Sequence, residues 1–186
     1  MKKSLSFWQF LGFSFTGIVG TLLHFLYDWT ESRFVAPFSA VNESVWEHMK
    51  LLFFPMLIFA LIESRYFAKE YQNFWCAKLV GILVGLVSIP TFYYTYTGIL
   101  GVSADWFNIA IFFIAAAISY CTEMRLMKKG SACFLSATVV IIILCIIAAL
   151  FVIFTFAPPA IPLFQDPITN RYGTANVTAG VFRCAF

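Results

Sequence analysis

Long apolar runs set the pattern of this chain. Polar residues gather at their ends and thin out inside them. Five runs are long enough to cross a bilayer, since a helix rising about 1.5 Å per residue needs roughly twenty apolar residues for a hydrocarbon core of about 30 Å. They extend from about Phe7 to Tyr27, Trp46 to Ser64, Phe74 to Gly98, Trp106 to Met124 and Ala132 to Phe156. The last contains the most lipid-like stretch, Val139 to Phe154. The fold class predicted is all-α: an integral membrane bundle of five transmembrane helices. Residues 1–157 would form the transmembrane domain. Residues 158–186 would form a proline-rich tail on the outer face, frayed after about residue 174.

Composition agrees. Hydrophobic residues are 61% and charged residues 11% of the 186, against about 45–50% and about 25% in soluble domains. Mean hydropathy is +0.86. The lipid bilayer is therefore the expected partner surface, and no basic tract suits nucleic acid.

Charge then orients the spans. Lys2, Lys3, Arg65, Lys69, Lys78, Arg125, Lys128 and Lys129 fall on one side, and Arg33, Lys50, Arg171 and Arg183 on the other. The richer side is expected in the cytoplasm, which puts the N-terminus inside and the C-terminal tail outside. Trp8, Trp29, Trp46, Trp75 and Trp106 lie near span ends, as interfacial anchors do. Glu63 and Glu123 are expected to be solvated at cytoplasmic ends. Cys76, Cys121, Cys133 and Cys145 read as small hydrophobes in or beside apolar runs, and no disulfide framework or CxxC pair is apparent.

The informative segment runs from His24 to Lys50. It holds both histidines of the chain together with Asp28, Glu31, Glu43 and Glu47. Counted along their helices, His24 lies about twenty residues from Lys3, and Glu47 and His48 about seventeen or eighteen from Arg65, so all three reach the same leaflet boundary. Neighbouring helices pack together. His24, Asp28, Glu43, Glu47 and His48 can therefore meet at one external site. Two imidazoles with one or two carboxylates can complete a divalent site, zinc being one candidate, that keeps a position for water. In that reading His24, Asp28 and His48 are ligands, while Glu43 and Glu47 are catalytic, a spare carboxylate serving as general base. The spacing is not HExxH. Asn42, Trp46, Tyr94, Tyr96 and Asp166 are expected to line the pocket.

Plainer roles compete. Asn42 could cap the second helix with Glu43 in its first turn, Glu47 could pair with Lys50 on the surface, and the tyrosines could belong to an aromatic belt. The cluster could also be a hydrogen-bonded staple between the first two helices. The tail from Ala157 to Gly173 could be a lid or a plain packing cap.

The segments Gly20 to Trp29, Asn42 to His48, Tyr94 to Gly98 and Ile161 to Pro167 resemble a family of small bacterial membrane proteins, common in Firmicutes, defined only as a domain of unknown function. The resemblance covers nearly all the chain except the last dozen residues. It implies a bacterial cytoplasmic membrane and no particular reaction. Two functions stay open: a metal-assisted hydrolase of a lipid or cell-envelope substrate, or a non-enzymatic module that binds a lipid or small molecule, serves a transporter or joins a membrane complex. The scarcity of polar residues at helix centres argues against a solo ion carrier.

Overall fold

A computed structural model describes residues 4–130, 133 and 135–174. Five helices carry the described residues: α1 (Leu5–Thr30), α2 (Val45–Phe67), α3 (Phe74–Leu100), α4 (Asp105–Lys129) and α5 (Ala137–Phe156). A single 3-10 turn, Pro162–Phe164, follows. All five helices are long and apolar enough to span a membrane. Large side chains such as Ile18, Phe10, Val87, Ile109 and Ile142 stand exposed along them, and a bilayer removes that surface from water.

The helix starts explain two departures from the sequence reading. The second helix is capped by Ser44, not Asn42: the Ser44 side chain accepts from the Glu47 N–H. The Asn42 side chain instead accepts from the Ser44 N–H, which leaves Glu43 in the loop ahead of the helix. The fifth helix begins at Ala137 because the Ser136 side chain accepts from the Val139 N–H. The expected start, Ala132, lies outside the described residues. So does the segment after residue 174 that the sequence reading expects to fray.

Helix α2 is the central member. Two thirds of its apolar window (67%) is buried, against 22% for α5. Helix α1 packs on α2 and α4, α4 packs most extensively on α3, and α5 rests on α2 and α3. The buried positions of α5 are Val140, Leu144, Phe151 and Thr155. Their spacing follows the helical repeat and makes one narrow stripe.

Helix α1 approaches its neighbours closely. A Cβ on Gly20 would stand 2.6 Å from the Phe112 ring and 2.9 Å from the Leu51 carbonyl oxygen. Only glycine admits this approach, and it brings the first half of α4 beside α1. Cys76 and Cys133 form a disulfide that joins α3 to the segment before α5. The sequence reading did not expect this bond. The two residues are 57 positions apart, and only the packed fold brings their Cα atoms to 6.2 Å.

Candidate metal centre at the histidine end

His24 stands near the end of α1, and His48 stands in the first turns of α2. Between them lies Glu43, delivered by the loop that Ser44 terminates. His24 Nε2 is 3.6 Å from one Glu43 carboxylate oxygen, and His48 Nε2 is 3.5 Å from the other. One ligand-capable atom from each residue lies within 4.8 Å of the other two. All three side chains are half-buried.

The protonation geometry is informative. His48 Nδ1 lies 2.9 Å from the Ser44 carbonyl oxygen. A carbonyl only accepts, so Nδ1 donates, and in the neutral ring the lone pair sits on Nε2 facing Glu43. A lone pair and a carboxylate oxygen at 3.5 Å attract each other only through something positive between them, either a proton or a cation. Metal-bound histidines commonly have their second nitrogen engaged with a carbonyl in this way. His24 Nδ1 is buried with no hydrogen-bond partner. The neighbouring His24 and His48 imidazoles hold the Glu43 carboxyl below the usual carboxylate range, against the opposing effect of partial burial.

The spacing also fits. Four ligands arranged tetrahedrally at metal bonds of about 2.1 Å lie about 3.4 Å apart. The two nitrogen–oxygen separations, each to a different Glu43 oxygen, lie within about 0.2 Å of that edge.

The cluster forms part of the wall of a cavity of about 550 Å³. Helix α1 supplies Gly20, Thr21 and Phe25, and α2 supplies Leu51. Helix α4 and the turn before it supply Ser103, Asp105, Asn108, Ile109, Phe112 and Phe113. Pro167 and Ile168 border the cavity from the tail. The sequence reading did not single out Asp105 or Asn108. They sit on α4, far along the chain, and border the same cavity as the histidines because Gly20 lets α4 approach. The glycine spacing on α1 was the available signal.

The other expected site residues lie elsewhere. Asp28 is exposed one turn beyond His24. Its charge acts on that ring, but Asp28 is not among the three convergent side chains. Glu47 points away from the histidines. Its carboxylate is 2.6 Å from Lys50 Nζ and accepts from the Val41 N–H at 3.0 Å. Lys50 also donates to the Ala36 carbonyl and the Thr155 hydroxyl. This pair is 0% and 2% exposed, so it is a buried clamp and not a surface couple. It holds the α1–α2 loop against α2 and α5, and Glu43 emerges from that fixed loop.

Asn42 donates to the Gly173 carbonyl and ties down the tail. Trp46 packs among Phe151, Phe154 and Phe164, so this part of the tail is a packing cap. Asp166 is buried and organises the tail turn through the Ile168 N–H and the Thr169 hydroxyl. Tyr94 is exposed. Tyr96 is buried and donates to Asn108, which lines the cavity.

Fold and geometry together define a polytopic helical membrane protein with a polar, half-buried cluster opening into a cavity at one end of its bundle. The chain belongs to the family of unknown function DUF6512, whose family model matches residues 1–174. No curated protein and no solved structure matches it.

Proposed function

We propose that His24, His48 and Glu43 hold a divalent metal of the zinc type, and that the protein is a metal-assisted hydrolase of a lipid or envelope substrate. The observation that carries this reading is the tetrahedral-edge spacing of two imidazole nitrogens about one carboxylate, on the wall of a cavity of about 550 Å³. Three protein ligands would leave the fourth position to water on the cavity side. A metal there supplies a low-pKa water and polarises a carbonyl. In this reading Glu43 is a ligand, and the Glu47 role of general base passes to Asp105, the other carboxylate bordering the cavity.

The cavity chemistry favours an amphiphile. Phe25, Ile109, Phe112 and Phe113 offer an apolar wall, while Asp105, Asn108 and Thr21 offer hydrogen bonds. If the N-terminal end faces the cytoplasm, as the lysine and arginine distribution argues, the cavity opens on the opposite side, where envelope lipids and their headgroups are reached.

The test is metal analysis of the full chain purified in detergent. Zinc or manganese near one equivalent per chain, lost in a His24→Ala and His48→Ala double variant that still melts cooperatively, is the expected result. Chelator-sensitive hydrolysis of ester or amide lipids should follow the metal and fall in Asp105→Asn. Metal-free protein with a lipid retained among these side chains would overturn the hydrolase reading in favour of a binding module. A lowered melting temperature as the sole effect of the substitutions would reduce the cluster to a staple.

A further inference from the structure

A second polar cluster lies toward the N-terminal end of the bundle. Lys78 on α3 places its Nζ 2.5 Å from a carboxylate oxygen of Glu63 on α2 and 2.5 Å from one of Glu123 on α4. From α1, the Gln9 amide donates to the other Glu63 oxygen at 2.8 Å. All four side chains are buried: Glu63 and Glu123 are 0% exposed, Lys78 1% and Gln9 4%. The sequence reading expected both glutamates to be solvated. They are not, because four helices converge on them.

The charges do not balance. Two carboxylates face one ammonium, which leaves a deficit of one positive charge in an apolar interior. Among the described residues, no other neighbour supplies it. Tyr120 on α4 is neutral, and its hydroxyl is engaged with Thr16 on α1. The remaining close groups are the Phe74 and Tyr120 rings over Lys78. Arg65 and Arg125, each two residues from a glutamate, are exposed. Helix α5 carries no charged residue. One Glu123 oxygen and the Gln9 carbonyl oxygen are buried with no hydrogen-bond partner.

An uncompensated buried charge is among the costliest features a fold can hold, and such a group takes up a proton instead. The Glu123 side chain is packed against Gly81, where a Cβ would already collide with it. We propose that the Glu63–Lys78–Glu123 triad is a proton-binding site that holds one exchangeable proton between its two carboxylates. The proton comes from solvent and bonds to a carboxylate oxygen, which brings the triad to neutrality without breaking any covalent bond. Because α1, α2, α3 and α4 all contribute, losing that proton loads a repulsive charge onto the joint between four helices.

The test is infrared spectroscopy of the full chain in detergent across a pH series, reading the C=O stretch of a protonated buried carboxyl. Wild type should show such a band, which shifts in deuterium oxide and disappears as pH rises. Glu63→Gln and Glu123→Gln should each abolish it, because the surviving carboxylate then balances Lys78. Lys78→Met should roughly double its intensity. Stability should fall in wild type as pH rises through the loss of the band, since an unbalanced negative charge is then buried at the joint between the four helices. Either glutamine variant should remove that alkaline loss. No band in folded wild type at any pH would overturn the proposal, and this holds even if the variants fail to fold. Survival of the band in either glutamine variant would overturn it too. A band displaced by saturating sodium or lithium would mean that the site takes a metal cation instead.

Discussion

Two polar clusters grow from the same first turns of α2 and end in opposite conditions. Glu47 and Lys50 face the α1–α2 loop and α5. The Glu47 carboxylate meets the Lys50 ammonium and the Val41 N–H, and Lys50 also donates to the Ala36 carbonyl and the Thr155 hydroxyl. His48, roughly 100° away around the helix, faces α1 and Glu43, and its Nε2 meets another group that lacks a proton. These bonds to the loop and to α5 make the first cluster a clamp. Incomplete pairing beside a cavity makes the second the candidate site. Burial alone would have ranked them the other way, since the clamp is the more deeply enclosed.

The largest test of this contrast is Lys50→Met. It leaves the Glu47 carboxylate buried without its cation, and removing one partner of a buried pair costs about 3–5 kcal/mol. Thermal unfolding in detergent should show that loss, whereas His48→Ala should cost far less stability and yet remove metal. Comparable melting temperatures for the two variants would break the distinction between clamp and site. Gly20→Val should come next. Its side chain meets Phe112 and the Leu51 carbonyl, and such overpacking costs about 1–3 kcal/mol. It should also narrow the cavity, so bound lipid should fall with stability. Lipid retained at wild-type level would detach the cavity from the close approach of α1 and α4.

The smallest effect concerns pH. The Glu43 carboxyl is held below the usual range by its imidazole neighbours, so its stabilisation is complete above the ordinary carboxylate pKa. It is lost as pH falls through the lowered value. Melting curves of wild type and Glu43→Gln should therefore differ at neutral pH and converge in acid. Metal binding should weaken at a higher pH than that, because imidazole ligands take up protons before a carboxylate does.

Much of this was legible in the sequence because lipid simplifies the problem. Apolar run length alone placed five helices, and Phe74 and Phe156 are found at the ends expected of them. His24, Glu43 and His48 were legible because they are scarce and share one depth. Glu47 was misdirected because neighbours in sequence point about 100° apart on a helix, and its partner Val41 lies in a loop whose path no periodicity reveals. Asp105 and Asn108 depend on which helix faces α1. The Lys78 triad was hidden for the same reason. Charges near span ends read as solvated until a fourth helix covers them.

The bond from Lys50 to Thr155 spans 105 residues of chain. At a synthesis rate of about 5–20 residues per second, the helix that carries Thr155 emerges roughly 5–20 s after the lysine does. A newly made α1–α2 hairpin must therefore wait, its ammonium only part satisfied, until the last helix arrives and locks the loop that presents Glu43. Ribosomes stalled before that point would yield a membrane-inserted intermediate whose candidate centre is still unfinished.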